Sequence, residues 1–309
     1  MSAVATGQAA DGRVGVVMVS YRTGPTLWTS LERVLADPAI GDVVVVDNGN
    51  DAATVAALRA RAARDPRLSV LSGHGNVGFA AGCNLGARAT ARPVLLLLNP
   101  DCVVAPGSIA GLLAAVGAPA RPWLATVRVL DPSGAEQRGG RRNPGTPWQC
   151  LVEALRLDRV LPRRWAPRLN LNDEPVPTGM IEVPAISGAF MAMERATFDA
   201  LGGMDEGYFL HVEDLDFCLR HRRAGGVAYF VPDLTCTHVK GTSVASALVV
   251  ERHKQRGFRR YFLKHFAASH SRLALELAWL VLAAGLLGRG WLSDLLHRGG
   301  KGTLTRRAA

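Results

Sequence analysis

Four polar groups in this chain stand where apolar runs end, and a fifth opens a helical segment. Ser20-Tyr21 closes the run from Val14, Asp47-Asn48 follows Val43 to Val46, and Asp101 follows Val94-Leu95-Leu96-Leu97-Leu98 across Asn99-Pro100. His238 comes after the last such run, Val227 to Val231. The fifth group, Glu213-Asp214, opens a segment in which Val212, Leu215 and Leu219 recur at helical spacing. Carboxylates and an imidazole are the side chains that hold divalent metals and move protons. Taken singly, each has a plain structural reading: a turn Asp, a helix-capping Asp, a hydrogen-bonded core His.

The elements around these groups would bring them to one edge. Five apolar residues from Val94 to Leu98 read as a strand buried on both faces, and Pro100 ends it because it cannot donate to a ladder. Strands at Val14–Ser20, Val43–Val46 and Leu68–Leu71 alternate with helical patterns through Leu27, Leu31 and Leu35, from Asp51 through Val55 and Leu58, and over Asn76 to Arg88. This alternation predicts right-handed crossovers and an α/β fold with a mainly parallel sheet flanked by helices. Ligands in such sheets bind outside the carboxyl ends of the strands, which makes Asp101 a candidate metal or phosphate-site residue. Further on, Ile109 to Val116 reads as a helix, Trp123 to Leu130 and Gly188 to Met193 as strands, and Arg195 to Leu201 as a helix. Asp131 to Pro177, rich in Arg, Pro and Gly, reads as loops with one short helix near Leu151 to Leu157.

Composition narrows the partners. The 309 residues are 48% hydrophobic and carry a net charge of +10, nearly all of it arginine, which suits an anionic partner such as a membrane surface or a phosphorylated substrate. Basic residues crowd Arg138 to Arg168 and Arg252 to Arg260, with Arg306-Arg307 near the end, but no nucleic-acid motif accompanies them. Five widely spaced cysteines without a C-x-x-C fit reduced thiols in a cytosolic protein. Met1 to Gly12 has no apolar region of the signal-peptide kind. No stretch reaches the length of a spanning helix, since Leu277 to Gly288 is bounded by Glu276 and Arg289.

In order and spacing, the motifs resemble the family-2 inverting glycosyltransferases of the GT-A fold, and among them the rhamnosyltransferase-like subset of cell-envelope enzymes. The segments that carry the resemblance are Val16 to Tyr21, Val43 to Asn48, Gly75-Asn76-Val77-Gly78-Phe79 running to Asn84, Leu97 to Asp101, Ser187-Gly188-Ala189-Phe190, and Gly203-Met204-Asp205-Glu206 running to Glu213-Asp214. The resemblance implies a nucleotide-diphosphate sugar donor bound by Ser20, Tyr21, Asp47, Asn48, Asn76, Gly78, Asn84 and Asp101. It further implies a divalent metal, Mg2+ or Mn2+, on Asp101 and His238. Asp214 would be the base that deprotonates the acceptor hydroxyl, with Glu213 beside it and Asp216 as competitors. Asp216 lies about 200° round a helix from Asp214, so the two cannot face one acceptor. Asp205 and Gly188 would meet the acceptor, a glycan or a polyprenyl-diphosphate-linked sugar. The family's first metal-motif carboxylate is here Asn99, which weakens intrinsic metal affinity.

On this reading residues 1–13 form a disordered tail and 14–245 a catalytic domain, split at 104/105 into nucleotide-sugar and acceptor halves. Residues 246–309 form a helical basic and apolar extension. That extension either lies on an anionic membrane or packs on the domain with a solvated basic face. The expectation is a cytoplasmic enzyme, peripheral on the inner face of the membrane, moving L-rhamnose from dTDP-rhamnose. Competing readings are a UDP- or GDP-hexose transferase, a non-catalytic nucleotide-sugar-binding module, and a nicotinamide-dependent oxidoreductase. The last requires G-x-G-x-x-G after the first strand, where the chain has Ser20-Tyr21-Arg22-Thr23-Gly24-Pro25. Gly78 and Gly82 have an alternative role in close helix–sheet packing. Arg138, Arg141 and Arg142 either meet an acceptor diphosphate or belong to a solvated loop.

Overall fold

A computed structural model describes residues 12–239 and 246–304, the side chains of 295–304 excepted. Most of the proposed N-terminal tail, the 245/246 boundary, Lys240 to Ser243 and Arg306-Arg307 lie outside them. The strands are β1 (Val14–Ser20), β2 (Ile40–Asp47), β3 (Leu68–Leu71), β4 (Val94–Leu98), β5 (Cys102–Val104), β6 (Trp123–Leu130), β7 (Arg141–Arg142), β8 (Ile181–Glu182), β9 (Ala185–Ile186), β10 (Phe190–Glu194) and β11 (Val227–His238). The helices are α1 (Thr26–Leu35), α2 (Ala52–Ala62), α3 (Phe79–Arg88), α4 (Ser108–Val116), α5 (Pro147–Leu155), α6 (Arg195–Ala200), α7 (Glu213–Arg223), α8 (Ala247–Phe266) and α9 (Arg272–Leu304).

The main sheet runs β3-β2-β1-β4-β10-β6-β11-β5, with β8 on β11. β1 is parallel to β2 and β4, and β6 is parallel to β11. β10 enters antiparallel between β4 and β6, so the sheet is mixed at its centre and continuous across the 104/105 boundary. Alternate residues of the inner strands feed two cores. Val17, Val19, Val44, Val46, Leu95 and Leu97 face one side, while Val16, Met18, Val43, Val45, Leu96 and Leu98 face the other. α1 and α4 cover the second core through Leu27, Leu31, Ile109 and Leu112. The first is covered by α3, α7, α8 and α9. That two-sided cover is why β4 can be apolar at every position.

Several boundaries depart from the sequence reading for identifiable reasons. α3 starts three residues late because Gly78 has φ 87°, outside the helical region. α5 starts four residues early: Thr146 and Gln149 form a capping box and Pro147 occupies the first turn. β11 does not stop at Val231; its register on β6 shifts across Pro232, and it continues to His238 beside Cys102. Pro232 sits within this irregularity of the ladder, where a residue without an amide proton is tolerated.

The extension also differs. Phe258, Tyr261 and Phe262 of α8 are buried in the first core, so this helix packs on the domain and does not expose its aromatics. Arg260 and Lys264 bind Asp205, and Arg259 pairs with Glu276. α9 runs unbroken through Glu276 and Arg289, and Arg272–Asp294 is long and apolar enough to cross a membrane, contrary to the sequence expectation.

Candidate active site

β1, β2 and β4 run parallel, so Ser20, Asp47 and the segment leading to Asp101 share one edge. Asp47 Oδ1 accepts from the amides of Gly49 and Asn50 and from Asn50 Nδ2. Ser20 Oγ lies 3.0 Å from Thr23 Oγ1 and donates to Asn50 Oδ1, and Tyr21 lies under Arg22. Asn48 Nδ2 donates to the Gly78 carbonyl, and Asn76 Oδ1 accepts from the Gly78 amide. Both asparagines therefore shape the turn into α3. A Cβ at Gly78 would lie 2.6 Å from the Phe209 carbonyl oxygen, so only glycine admits that approach. Gly82 resolves to packing, since its Cβ would meet Val19 at 2.7 Å. Asn84, a candidate donor residue, bonds Met204 and Glu206 through its side-chain amide and so anchors the 203–206 turn.

β11 carries His238 to Asp101, with Nε2 3.1 Å from Oδ1. Gln137 fixes the ring. Its Nε2 donates to the His238 carbonyl, which orients the amide so that Oε1 accepts from His238 Nδ1–H at 2.7 Å. With Nδ1 carrying the proton, Nε2 presents its lone pair between Asp101 Oδ1 and the Asn99 side-chain amide, whose Nδ2 lies 3.3 Å away. The electron pairs of Nε2 and Oδ1, 3.1 Å apart, favour a cation between them, so the pair fits a divalent metal. Among the described residues, Asp101, Cys102 and His238 form a three-donor cluster within 4.8 Å. Burial pushes the Cys102 thiol well above its usual value, which leaves the carboxylate and imidazole as the effective donors.

Glu213 and Asp214 begin α7 after two left-handed residues, His211 (φ 67°) and Val212 (φ 75°). Positive φ at a β-branched residue is strained, on the order of 1–3 kcal/mol, and such strain clusters at functional sites. Burial works against ionising Asp214. Arg142 Nη2 at 2.5 Å and the Gly188 amide at 3.0 Å outweigh it and hold the carboxyl below its usual range. Glu213 has no such partner. Its Oε2 is buried without a hydrogen bond, and burial next to Asp214 pushes its carboxyl up to about 8. Asp216 is committed elsewhere, to Arg220, Lys264 and His265, and so leaves the competition.

Asp214 and Gly188 share a cleft of about 660 Å³ with Asn99, Gln137 and His238. Of the sheet-edge groups, Asn99 and His238 meet the helix-start pair in this cavity, while Asp101 is not among its lining residues. The residues lining it include none from the carboxyl ends of β1 and β2, and Asp205 is not among them either. Asp205, expected to meet the acceptor, ties α8 to the domain through Arg260 and Lys264. Arg141 is buried against Glu136, so neither it nor Arg142 belongs to a solvated loop. Sequence reading missed the roles of Arg142 and Gln137 because both lie in an aperiodic stretch. Nothing in the residue type of Val212 signals its backbone conformation.

The family described as "Glycosyltransferase like family 2" matches residues 11–259. A Mycobacterium tuberculosis protein, "N-acetylglucosaminyl-diphospho-decaprenol L-rhamnosyltransferase", is 27% identical over 295 residues, covering 85% of this chain and 83% of its own length. Two solved structures share the GT-A fold. The mannosyltransferase PcManGT from Pyrobaculum calidifontis in complex with GDP-Man and Mn2+ gives a TM-score of 0.56 at 16% identity, over 95% of this chain and 81% of that one. GalNAc-T7 with UDP, GalNAc and Mn2+ gives 0.58 at 18% identity over 81% of this chain, which spans 47% of its length. At these identities the likeness is one of fold.

Proposed function

Because the chain belongs to glycosyltransferase-like family 2, we propose that it is an inverting transferase moving L-rhamnose from dTDP-rhamnose to a lipid-diphosphate-linked acceptor in cell-envelope glycan synthesis. The observation that carries this is Asp214, ionised and anchored, in the same cleft as Asn99 and His238. The name of the M. tuberculosis relative supports the sugar and the lipid-linked acceptor.

In the proposed reaction an acceptor hydroxyl oxygen attacks C1 of the donor sugar while the bond from C1 to the diphosphate oxygen breaks. Asp214 takes the hydroxyl proton, and attack opposite the leaving group inverts C1. Arg142 and Gly188 fix the orientation of the carboxylate and keep it deprotonated at neutral pH. The arginine also lowers its basicity, so the geometry favours readiness over strength. Ser20, Tyr21, Asp47 and Asn48 serve the donor base and ribose, and the Asn76–Gly78 turn at the start of α3 faces its phosphates. Asp101 and His238 would hold the metal, which when bound neutralises charge on the departing nucleoside diphosphate. One oxygen and one imidazole donor favour Mn2+ over Mg2+, which prefers oxygen. Transfer would occur at the cytoplasmic face of the membrane.

The test is transfer from dTDP-rhamnose to N-acetylglucosaminyl-diphospho-polyprenol, with UDP- and GDP-hexoses in parallel and the product anomer read by NMR. Asp214→Asn should lose transfer by about a thousandfold while dTDP still raises the melting temperature. Near-normal turnover in that variant would remove Asp214 as the base, and a retained anomer would remove the inverting mechanism.

A further inference from the structure

The same cleft extends to a region built by the C-terminal helices. Lys254 of α8, Arg289 of α9 and Arg138 of the loop before β7 line it together with Leu282 and Leu286 of α9. Of the other basic residues lining it, Arg142 binds Asp214 and Arg168 binds Asp158 and Asp173, while Arg156 and Arg159 stand on the α5 side of the cleft. Arg138 touches Glu153. Lys254 and Arg289 make no hydrogen bond or ion pair among the described residues. Burial pushes the Lys254 ammonium below its usual value, Glu251 opposes this, and Arg289, Arg138 and Arg142 add to it. Lys254, Arg289 and Arg138 outnumber the neighbouring carboxylates Glu251 and Glu153 in this lining, so an incoming anion lowers the repulsion among the cations.

We propose that this end of the cleft is the diphosphate subsite for the acceptor, in which Lys254 and Arg289 hold the diphosphate, Arg138 closes it at the rim, and Leu282 and Leu286 receive the first isoprenoid carbons. The proposal rests on the lipid-linked reading of the acceptor given above. Its chemistry is that of a dianion joined to a hydrocarbon chain. Two phosphate-bearing groups would thus enter one cleft by separate walls, the donor's against the sheet edge and the acceptor's against α8 and α9. Lys254 presents a compact charge on a flexible stem and Arg289 a planar fork, a combination suited to a diphosphate.

The experiment compares two acceptors with dTDP-rhamnose as donor: farnesyl-diphosphate-linked N-acetylglucosamine and octyl N-acetylglucosaminide, which lacks phosphate. In the double variant Lys254→Gln/Arg289→Gln, KM for the diphosphate acceptor should rise at least tenfold. Its kcat, the KM for dTDP-rhamnose and all constants with the octyl glycoside should stay within twofold. Lys254→Arg should recover most of the loss, and an unchanged melting temperature would confirm folding. Inorganic pyrophosphate should inhibit the wild type competitively against the diphosphate acceptor and more weakly in the double variant. An unchanged KM in the double variant overturns the subsite. So does a loss confined to binding of phosphatidylglycerol vesicles, which would assign these cations to lipid headgroups. If instead the wild type uses both acceptors equally well, the lipid-diphosphate reading of the acceptor itself fails.

Discussion

At the residue scale the site depends on how differently two adjacent carboxyls are treated. Asp214 pairs directly with Arg142 and takes the Gly188 amide, whereas Glu213 has only its own amide and the more distant charge of Arg142, too little to offset burial beside Asp214. One is therefore held ionised and the other is held protonated near neutral pH. Arg142→Leu should raise the Asp214 carboxyl towards the range of a buried, unpaired acid. The acid limb of kcat/KM should then move up by about one pH unit or more. A limb that stays in place would mean another group sets it. Glu213 titrates at about 8 when folded and near 4.5 when unfolded, so the folded state binds the extra proton between those values. Stability therefore falls as pH rises through that window, by about 1.4 kcal/mol for each pH step of one. Glu213→Gln should flatten the decline in Tm between pH 5 and pH 8; parallel curves for wild type and variant would reject the assignment. Of these roles, the Glu-Asp pair was legible because it opens a periodic segment. Arg142 was not, because its partner lies 72 residues away and no periodic pattern joins them.

At the element scale, the strands were legible wherever apolar runs were continuous, and the errors fell where a run breaks or a pattern carries two meanings. The last apolar run ends at Val231, yet the strand passes Pro232 with a register shift and carries β11 on to His238. The alternation of basic and aromatic residues in α8 suggested a membrane face, yet its aromatic stripe is the one that docks. Asp216 is the polar centre of that docking, fully buried and bound by Arg220 from its own helix and by Lys264 and His265 from α8. Burial opposes its charge, but these partners hold its carboxyl well below the usual range. Its contribution is thus present above the unfolded pKa near 3.8 and is lost as pH falls through the lower folded value. Asp216→Asn leaves the cations without their counter-charge and should cost about 3 kcal/mol at pH 7, read as a lowered denaturation midpoint. An unchanged midpoint would show that α8 is held by Phe258, Tyr261 and Phe262 alone.

At the scale of the whole molecule the remaining asymmetry is α9, a helix apolar on both sides. Leu275, Leu282 and Leu286 are buried against the domain, while Leu273, Leu277, Leu280 and Trp291 are exposed on the opposite side. A helix that is apolar all round is ordinarily covered all round, so half of this one lacks its cover. Crossing a bilayer would require pulling Leu282 and Leu286 out of the core and breaking the Arg259–Glu276 pair. Lying in the interface requires neither, and the net charge of +10 favours an anionic leaflet. Full burial of a leucine contributes about 1.5–3 kcal/mol, so even partial insertion of several side chains suffices for peripheral attachment. The protein should therefore sediment with phosphatidylglycerol vesicles, bind more weakly as salt rises, and be released by alkaline carbonate. Leu277→Ser/Leu280→Ser/Trp291→Ser should weaken that binding at least tenfold, given roughly 1.4 kcal/mol per factor of ten, with little change in Tm because none of the three is in the core. Resistance to carbonate extraction would mean that α9 spans the bilayer, and undiminished binding by the triple variant would move the membrane contact to another face.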